Sequence, residues 1–159
     1  MEYVILGLLI INKQTIYELN KSFEQSVSLF YSASFGSLQV AIKKLLKNGF
    51  ITFDEGIENG RNKKIYAVTE LGREAFFQWM SADITDKKLE VASLSRVFLL
   101  GLIGSKEEKI RIIKSIIEKH QIAEKHLVML KESIGKLEIP KSKKQISHYK
   151  IKTLDYGIS

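Results

Sequence analysis

Apolar residues recur at spacings of three and four along most of this chain, the period of a helix with one buried face. Residues 3–11 are almost wholly apolar and predict a short buried helix. After a polar cluster at 12–15, Thr15 can cap a second helix that returns Ile16, Leu19 and Phe23 to one side. A second polar cluster, 32–37, leads into the best-defined helix of the first half. Ser34 is a good N-cap, Leu38, Ile42, Leu45 and Leu46 form a buried stripe, and Asn48-Gly49 accepts a left-handed C-terminal cap. The opposite face carries Gly36, Gln39, Lys43 and Lys47, which have nothing obvious to pack against.

The period then changes. Residues 50–53 and 65–68 are rich in β-branched and aromatic side chains, and the polar stretch 54–64 between them holds Asn59-Gly60, a pair that tolerates positive φ. This predicts a hairpin with a long tip. Thr69 can cap a following helix that contains Leu71, Ala75, Phe76, Trp79 and Met80. Three helices, a two-stranded wing and a further helix make a winged helix-turn-helix.

Beyond a small polar stretch at 81–85, residues 89–103 form a strongly apolar segment, expected as a helix buried on most sides. Ser105 and Glu108 match the capping-box spacing and should open a long helix over 106–137. Along it Ile113, His120, Leu127 and Ile134 repeat every seven residues, while the flanking apolar partners drift from Ile110 and Ile117 to Ala123, Leu130 and Leu137. That drift is the mismatch of a straight helix with a strict heptad and favours a short antiparallel bundle. Ile112, Ile116 and Ile122 lie off the seam, so the helix needs more than one neighbour, the second being a partner subunit. The expected class is mainly α with a small β-wing, a winged helix-turn-helix at 1–82 followed by an α-helical dimerisation domain at 86–159.

Composition narrows the chemistry. With 159 residues, 45% of them hydrophobic and 27% charged, the chain can bury a core. It contains no cysteine, which removes disulfides, thiolate metal sites and cysteine nucleophiles, and fits a cytoplasmic protein. The first apolar run is too short for a membrane span and follows Glu2 rather than a basic segment. The net charge is +7, an invitation to a nucleic-acid reading. Its distribution tempers that invitation: residues 1–80 hold 9 basic and 8 acidic side chains, and the excess lies in the helical half. What favours DNA is local.

The third helix offers Ser34, Gly36 and Ser37 for close approach at its tip, Gln39 for a base edge, and Lys43, Lys44 and Lys47 for phosphates. The wing adds Arg61, Lys63 and Lys64, set against Asp54, Glu55 and Glu58. A solvated helix face and a charged loop are the ordinary alternatives. His120, His126 and His148 lack metal-ligand spacing, and no nucleophile-elbow, P-loop or dinucleotide motif occurs, so neither catalysis, metal nor cofactor is expected. Phe76, Trp79 and Phe98 could line an effector pocket or simply belong to a core. The basic tail of Lys141, Lys143, Lys144, Lys150 and Lys152 could touch a membrane or DNA, but interleaved with Tyr149, Ile151, Leu154 and Tyr156 it reads as the solvated face of a docking helix.

In order and spacing these passages resemble the PadR family of winged-helix transcriptional regulators. Ile5-Leu6-Gly7-Leu8-Leu9 with Ile16-Tyr17-Glu18-Leu19 is similar to the family's opening helices, with Thr15-Ile16 where His-Gly is usual. The run from Ser34 to Leu45, followed by Gly49-Phe50-Ile51, resembles its recognition-helix pattern, and residues 59–69 with Gly72-Arg73 resemble its wing and exit. Where the family commonly has Tyr-Pro after the small residues of the recognition helix, this chain has Gln39-Val40. The resemblance implies a homodimer that binds double-stranded DNA at a roughly palindromic operator, usually as a repressor. In the helical half, Ile113, Ile116, His120, Leu127, Leu130 and Ile134 would then supply the dimer contact. It implies no particular effector. The ending, Leu154-Asp155-Tyr156-Gly157-Ile158, is similar to the start of a last helix that usually continues, so Ser159 marks a shortened chain or an early stop. A protein-binding winged module, and a ligand-binding helical dimer with a minor DNA role, are the competing readings.

Overall fold

The computed structural model describes residues 1–28, 30–31, 33–58, 61–85, 88–136 and 144–158. Helices α1 (Glu2–Ile11), α2 (Ile16–Ser22) and α3 (Phe35–Lys47) precede strands β1 (Ile51–Glu58) and β2 (Arg61–Val68). Helices α4 (Glu70–Ser81), α5 (Leu89–Leu99), α6 (Lys106–Gly135) and α7 (Lys144–Ile158) follow. The chain divides into compact units, Met1–Ile113 and Lys114–Ser159.

In the first unit α1 is apolar all round because it is the central helix, with Val4 to Leu9 buried. Leu19 of α2, Leu38 and Leu45 of α3, and Phe76 and Met80 of α4 are fully buried in the same core. Local sequence fixes where each helix begins. Thr15 Oγ1 accepts the Glu18 amide at 3.3 Å, and the Glu18 carboxylate accepts the Thr15 amide at 2.7 Å, a complete capping box. Ser34 and Ser37 make the equivalent box on α3, and Thr69 Oγ1 accepts the Gly72 amide at the head of α4. After α3, Gly49 takes φ +69°, the left-handed step that turns the chain into β1.

The hydrogen bond from the Thr15 amide holds the Glu18 carboxyl below its ordinary pKa, aided by the Thr15 hydroxyl and the charge of Lys63. A carboxyl depressed in the folded state stabilises above its unfolded pKa and stops doing so as pH falls through the folded value. Glu18→Gln should therefore melt earlier than the parent at pH 7, and the two curves should converge only in acid, once the pH has fallen through the depressed pKa of the folded carboxyl. Differential scanning fluorimetry across pH checks this; a gap that persists in acid would refute it.

The wing departs from the expected hairpin with a long tip. The strands pair antiparallel throughout, from Ile51↔Val68 to Glu58↔Arg61, leaving two residues between them. The polar stretch stays in the ladder because its side chains satisfy one another across it. Lys64 Nζ lies 3.7 Å from Glu55 and 4.1 Å from the centre of the Phe53 ring. The free edge of β2 takes one more partner: Gln14 and Tyr66 exchange both backbone hydrogen bonds, at 3.1 and 2.8 Å.

Two further expectations need correction. Residues 89–103 are not one helix buried on most sides: α5 ends at Leu99 and passes into a 3-10 turn, Leu100–Leu102. Ser93, Ser95, Arg96 and Leu99 face inward, while Leu94, Val97 and Phe98 stay exposed. The pattern registers how apolar the segment is, not which side meets the core. At α6 only half of the capping box forms. Ser105 Oγ accepts the Glu108 amide at 3.2 Å, but the Glu108 carboxylate takes the Ser81 hydroxyl and Arg111 instead of the N-cap amide. In the second unit the Lys131–Asp155 ion pair joins α6 to α7.

Candidate nucleic-acid interface

Helix α3 turns Leu38, Ala41, Ile42 and Leu45 into the core and leaves a stripe on the opposite side. At 3.6 residues per turn, Gly36, Val40, Lys43 and Lys47 fall in line along that stripe, all exposed. Gln39 is exposed on its flank, next to Phe35, whose ring meets that of Tyr17 at 5.6 Å. The tip of the helix is small and open, since a side chain added at Gly36 would meet nothing closer than 4.0 Å.

Not every expected residue faces this way. Ser34 and Ser37 spend their hydroxyls on the cap: Ser34 Oγ accepts the Ser37 amide, and Ser37 Oγ donates to the Ser34 carbonyl at 2.7 Å while accepting the Ser34 amide. Lys44 turns from the stripe toward α1, where its ammonium meets Glu2 at 2.9 Å and that contact raises its pKa. Lys43 and Lys47 remain as the cations of the outward face.

The wing stands beside α2. A groove of about 590 Å³ runs between them, lined by Tyr17, Glu18, Asn62, Lys63, Lys64 and Tyr66. Lys63 and Lys64 thus share a groove with an aromatic ring from α2. Arg61 heads β2, but its side chain lies outside the described residues. Among the described residues of the wing, Glu55 lies on Lys64 and Asp54 is 3.6 Å from Lys13.

Tyr17, Phe35 and Val40 are surface residues that the sequence pattern alone does not select. For Val40 a signal is present, the four-residue step from Gly36. Tyr17 and Phe35 have none, because their meeting depends on how α2 and α3 cross.

The residues considered for an effector pocket, Phe76, Trp79 and Phe98, each pack against other aromatic rings. Phe76 is wholly buried, and Trp79 stacks on Tyr3 at 5.1 Å with rings within 5° of parallel. Buried Arg96 lies over the same indole, 5.2 Å from its centre, and Phe98 meets Phe30 at 5.9 Å. Of the residues considered for a dimer contact, Ile116 is buried, Ile113, Leu127 and Ile134 are half-buried, and His120 and Leu130 are exposed. Ile116, His120 and Leu127 line an open groove of about 490 Å³ in the second unit. Lys141 and Lys143 of the basic tail lie outside the described residues, whereas Tyr149 and Tyr156 on α7 are exposed. Among the described residues no group of three or more acidic or histidine side chains could hold a metal, and no helix is long and apolar enough to cross a membrane.

Helices α1 to α3, the third of them solvent-facing on one side, and the two-stranded wing define a winged helix-turn-helix module. Residues 5–78 match the transcriptional regulator PadR-like family. Over 81 residues it is 32% identical to the negative transcriptional regulator PadR of Bacillus subtilis (strain 168), a match over 50% of this chain and 44% of that protein. The chain thus spans less than half the length of the curated relatives it matches. Among solved structures it is similar to smu.1604c from Streptococcus mutans UA159, with TM-score 0.51 and 28% identity over 99% of this chain and 89% of that one. Bacillus subtilis PadR in complex with operator DNA aligns with TM-score 0.49 and 22% identity, over 99% and 87% of the two chains.

Proposed function

We propose that this chain is a cytoplasmic transcriptional regulator that binds double-stranded DNA as a homodimer and represses by occupying a roughly palindromic operator. The observation that carries the reading is the α3 stripe, open at Gly36 and cationic at Lys43 and Lys47, beside a wing that brings Lys63 and Lys64 to the same module. A recognition helix in a major groove needs a small tip, polar side chains behind it and cations for the backbone. The match of residues 5–78 to a family of transcriptional regulators supports the same reading.

In this scheme residues 1–82 hold the DNA contacts. Gly36 admits the groove edge, Gln39 reads a base, and Lys43, Lys47, Arg61, Lys63 and Lys64 meet phosphates. Ser34 and Ser37 act by fixing the helix tip, and Lys44 by anchoring α3 to α1. Residues 86–159 supply the dimer contact through the α6 seam, which spaces two α3 helices about 34 Å apart, one turn of the duplex.

Binding to duplexes from the DNA flanking its own gene, followed by fluorescence anisotropy at about 50 to 200 mM salt, tests the proposal. The logarithm of affinity should fall linearly with the logarithm of salt. Gln39→Ala should lower discrimination at one base pair about tenfold while leaving the salt slope unchanged. No affinity for any duplex in the lowest salt would sink the reading, and a monomer by light scattering at micromolar concentration would contradict the dimer.

A further inference from the structure

Val40 has no role in the fold. Its side chain is 68% exposed, on the opposite side of α3 from the buried Leu38, Ala41, Ile42 and Leu45. A β-branched residue in an exposed helical position is disfavoured relative to lysine, glutamine or alanine, so neither packing nor propensity accounts for it. Its position in the stripe is central. Gly36 lies one turn before it without a side chain, and Lys43 and Lys47 follow it, so Val40 is an apolar point in an otherwise small and cationic surface.

We propose that Val40 is a specificity-determining residue that packs against a thymine methyl group in the operator. The proposal rests on the DNA-binding reading above and deepens it. Base edges in the major groove present donors, acceptors and a single apolar feature, the C5-methyl of thymine. Gly36 allows the helix to approach closely enough for the short valine side chain to reach that feature, and the lysines hold the helix in register from the backbone. Gln39, next to it in sequence, suits adenine through its amide, so A·T pairs satisfy both residues. A polar base edge would instead be desolvated against the isopropyl group with no hydrogen bond in return.

The test begins with selection of bound duplexes from a random-sequence library by the full 159-residue chain. Each thymine of the enriched duplex is then replaced in turn by deoxyuridine, which removes only the methyl group. At one position per half-site the parent should lose about fourfold in affinity, the effect of withdrawing one buried methyl group. Val40→Ala should lose that sensitivity at the same position and keep any sensitivity elsewhere. Val40→Thr, which keeps the shape and trades a methyl for a hydroxyl, should weaken it. Val40 is exposed, so circular dichroism of both variants should match the parent. An enriched duplex with no methyl-sensitive thymine, or one whose sensitivity survives Val40→Ala, overturns the assignment and leaves DNA binding intact. Failure to retain any duplex in low salt overturns both.

Discussion

Gly72→Ala is expected to destabilise the protein by about 3 kcal/mol, at the upper end of overpacking effects. A Cβ on Gly72 would lie 1.9 Å from the Phe50 carbonyl oxygen and 2.8 Å from its carbon, backbone atoms that cannot rotate away. The same oxygen accepts the Thr69 amide at 3.0 Å, and Thr69 Oγ1 donates to the Gly49 carbonyl at 2.6 Å while capping α4. Relief therefore requires α4 to move away from the start of β1, and α4 carries Phe76 and Met80 into the core. Chemical denaturation should show the loss with an unchanged m-value, since the surface exposed on unfolding is the same. A variant within 1 kcal/mol of the parent would mean that α4 can shift without disturbing its packing.

The largest effect on DNA binding should come from removing Lys43 and Lys47 together. Both are exposed on the α3 stripe, and neither contributes to the core. Each phosphate deprived of its cation lowers the salt slope by about 0.9, and near 0.1 M salt this amounts to roughly tenfold in affinity. The double alanine variant should therefore weaken binding to every duplex by about two orders of magnitude, with its melting temperature unchanged. Lys44→Ala makes the contrast: its ammonium is already held by Glu2, so it should leave the salt slope nearly where it was. A slope that falls as much for Lys44 as for Lys43 would place the interface on another side of the helix.

Features decided within a few residues are legible in the sequence. Thr15, Ser34 and Thr69 are caps because hydroxyls sit three residues before amides that need acceptors, and Gly49 is the left-handed step because a side chain there would be strained. Features decided by distant partners are not. The Gln14–Tyr66 bridge joins residues far apart in sequence through backbone groups that every residue possesses. The long wing strands carry polar residues on both faces, so no alternation marks them, and only pairs such as Glu55 with Lys64 reveal the ladder. In α5 the apolar content is evident, but Ser93, Ser95 and Arg96 take the inner side, a choice made by the neighbouring helices. The outline of the α3 stripe follows from helical spacing, and its two exceptions have separate causes. Glu2 draws Lys44 away across 42 residues of sequence, and Val40 escapes a pattern search because apolar residues are ordinarily assigned to cores.

The stack of Tyr3, Trp79 and Arg96 gives the molecule a built-in optical reporter. Trp79 is the only tryptophan in the chain, and its indole touches a ring from α1 and a guanidinium from α5 while sitting on α4. Its emission therefore senses the joint of three helices without any label, and a change in colour or intensity on adding DNA or a small molecule would localise the rearrangement to that joint. Silence in the same experiment would mean that binding is felt at the α3 surface alone.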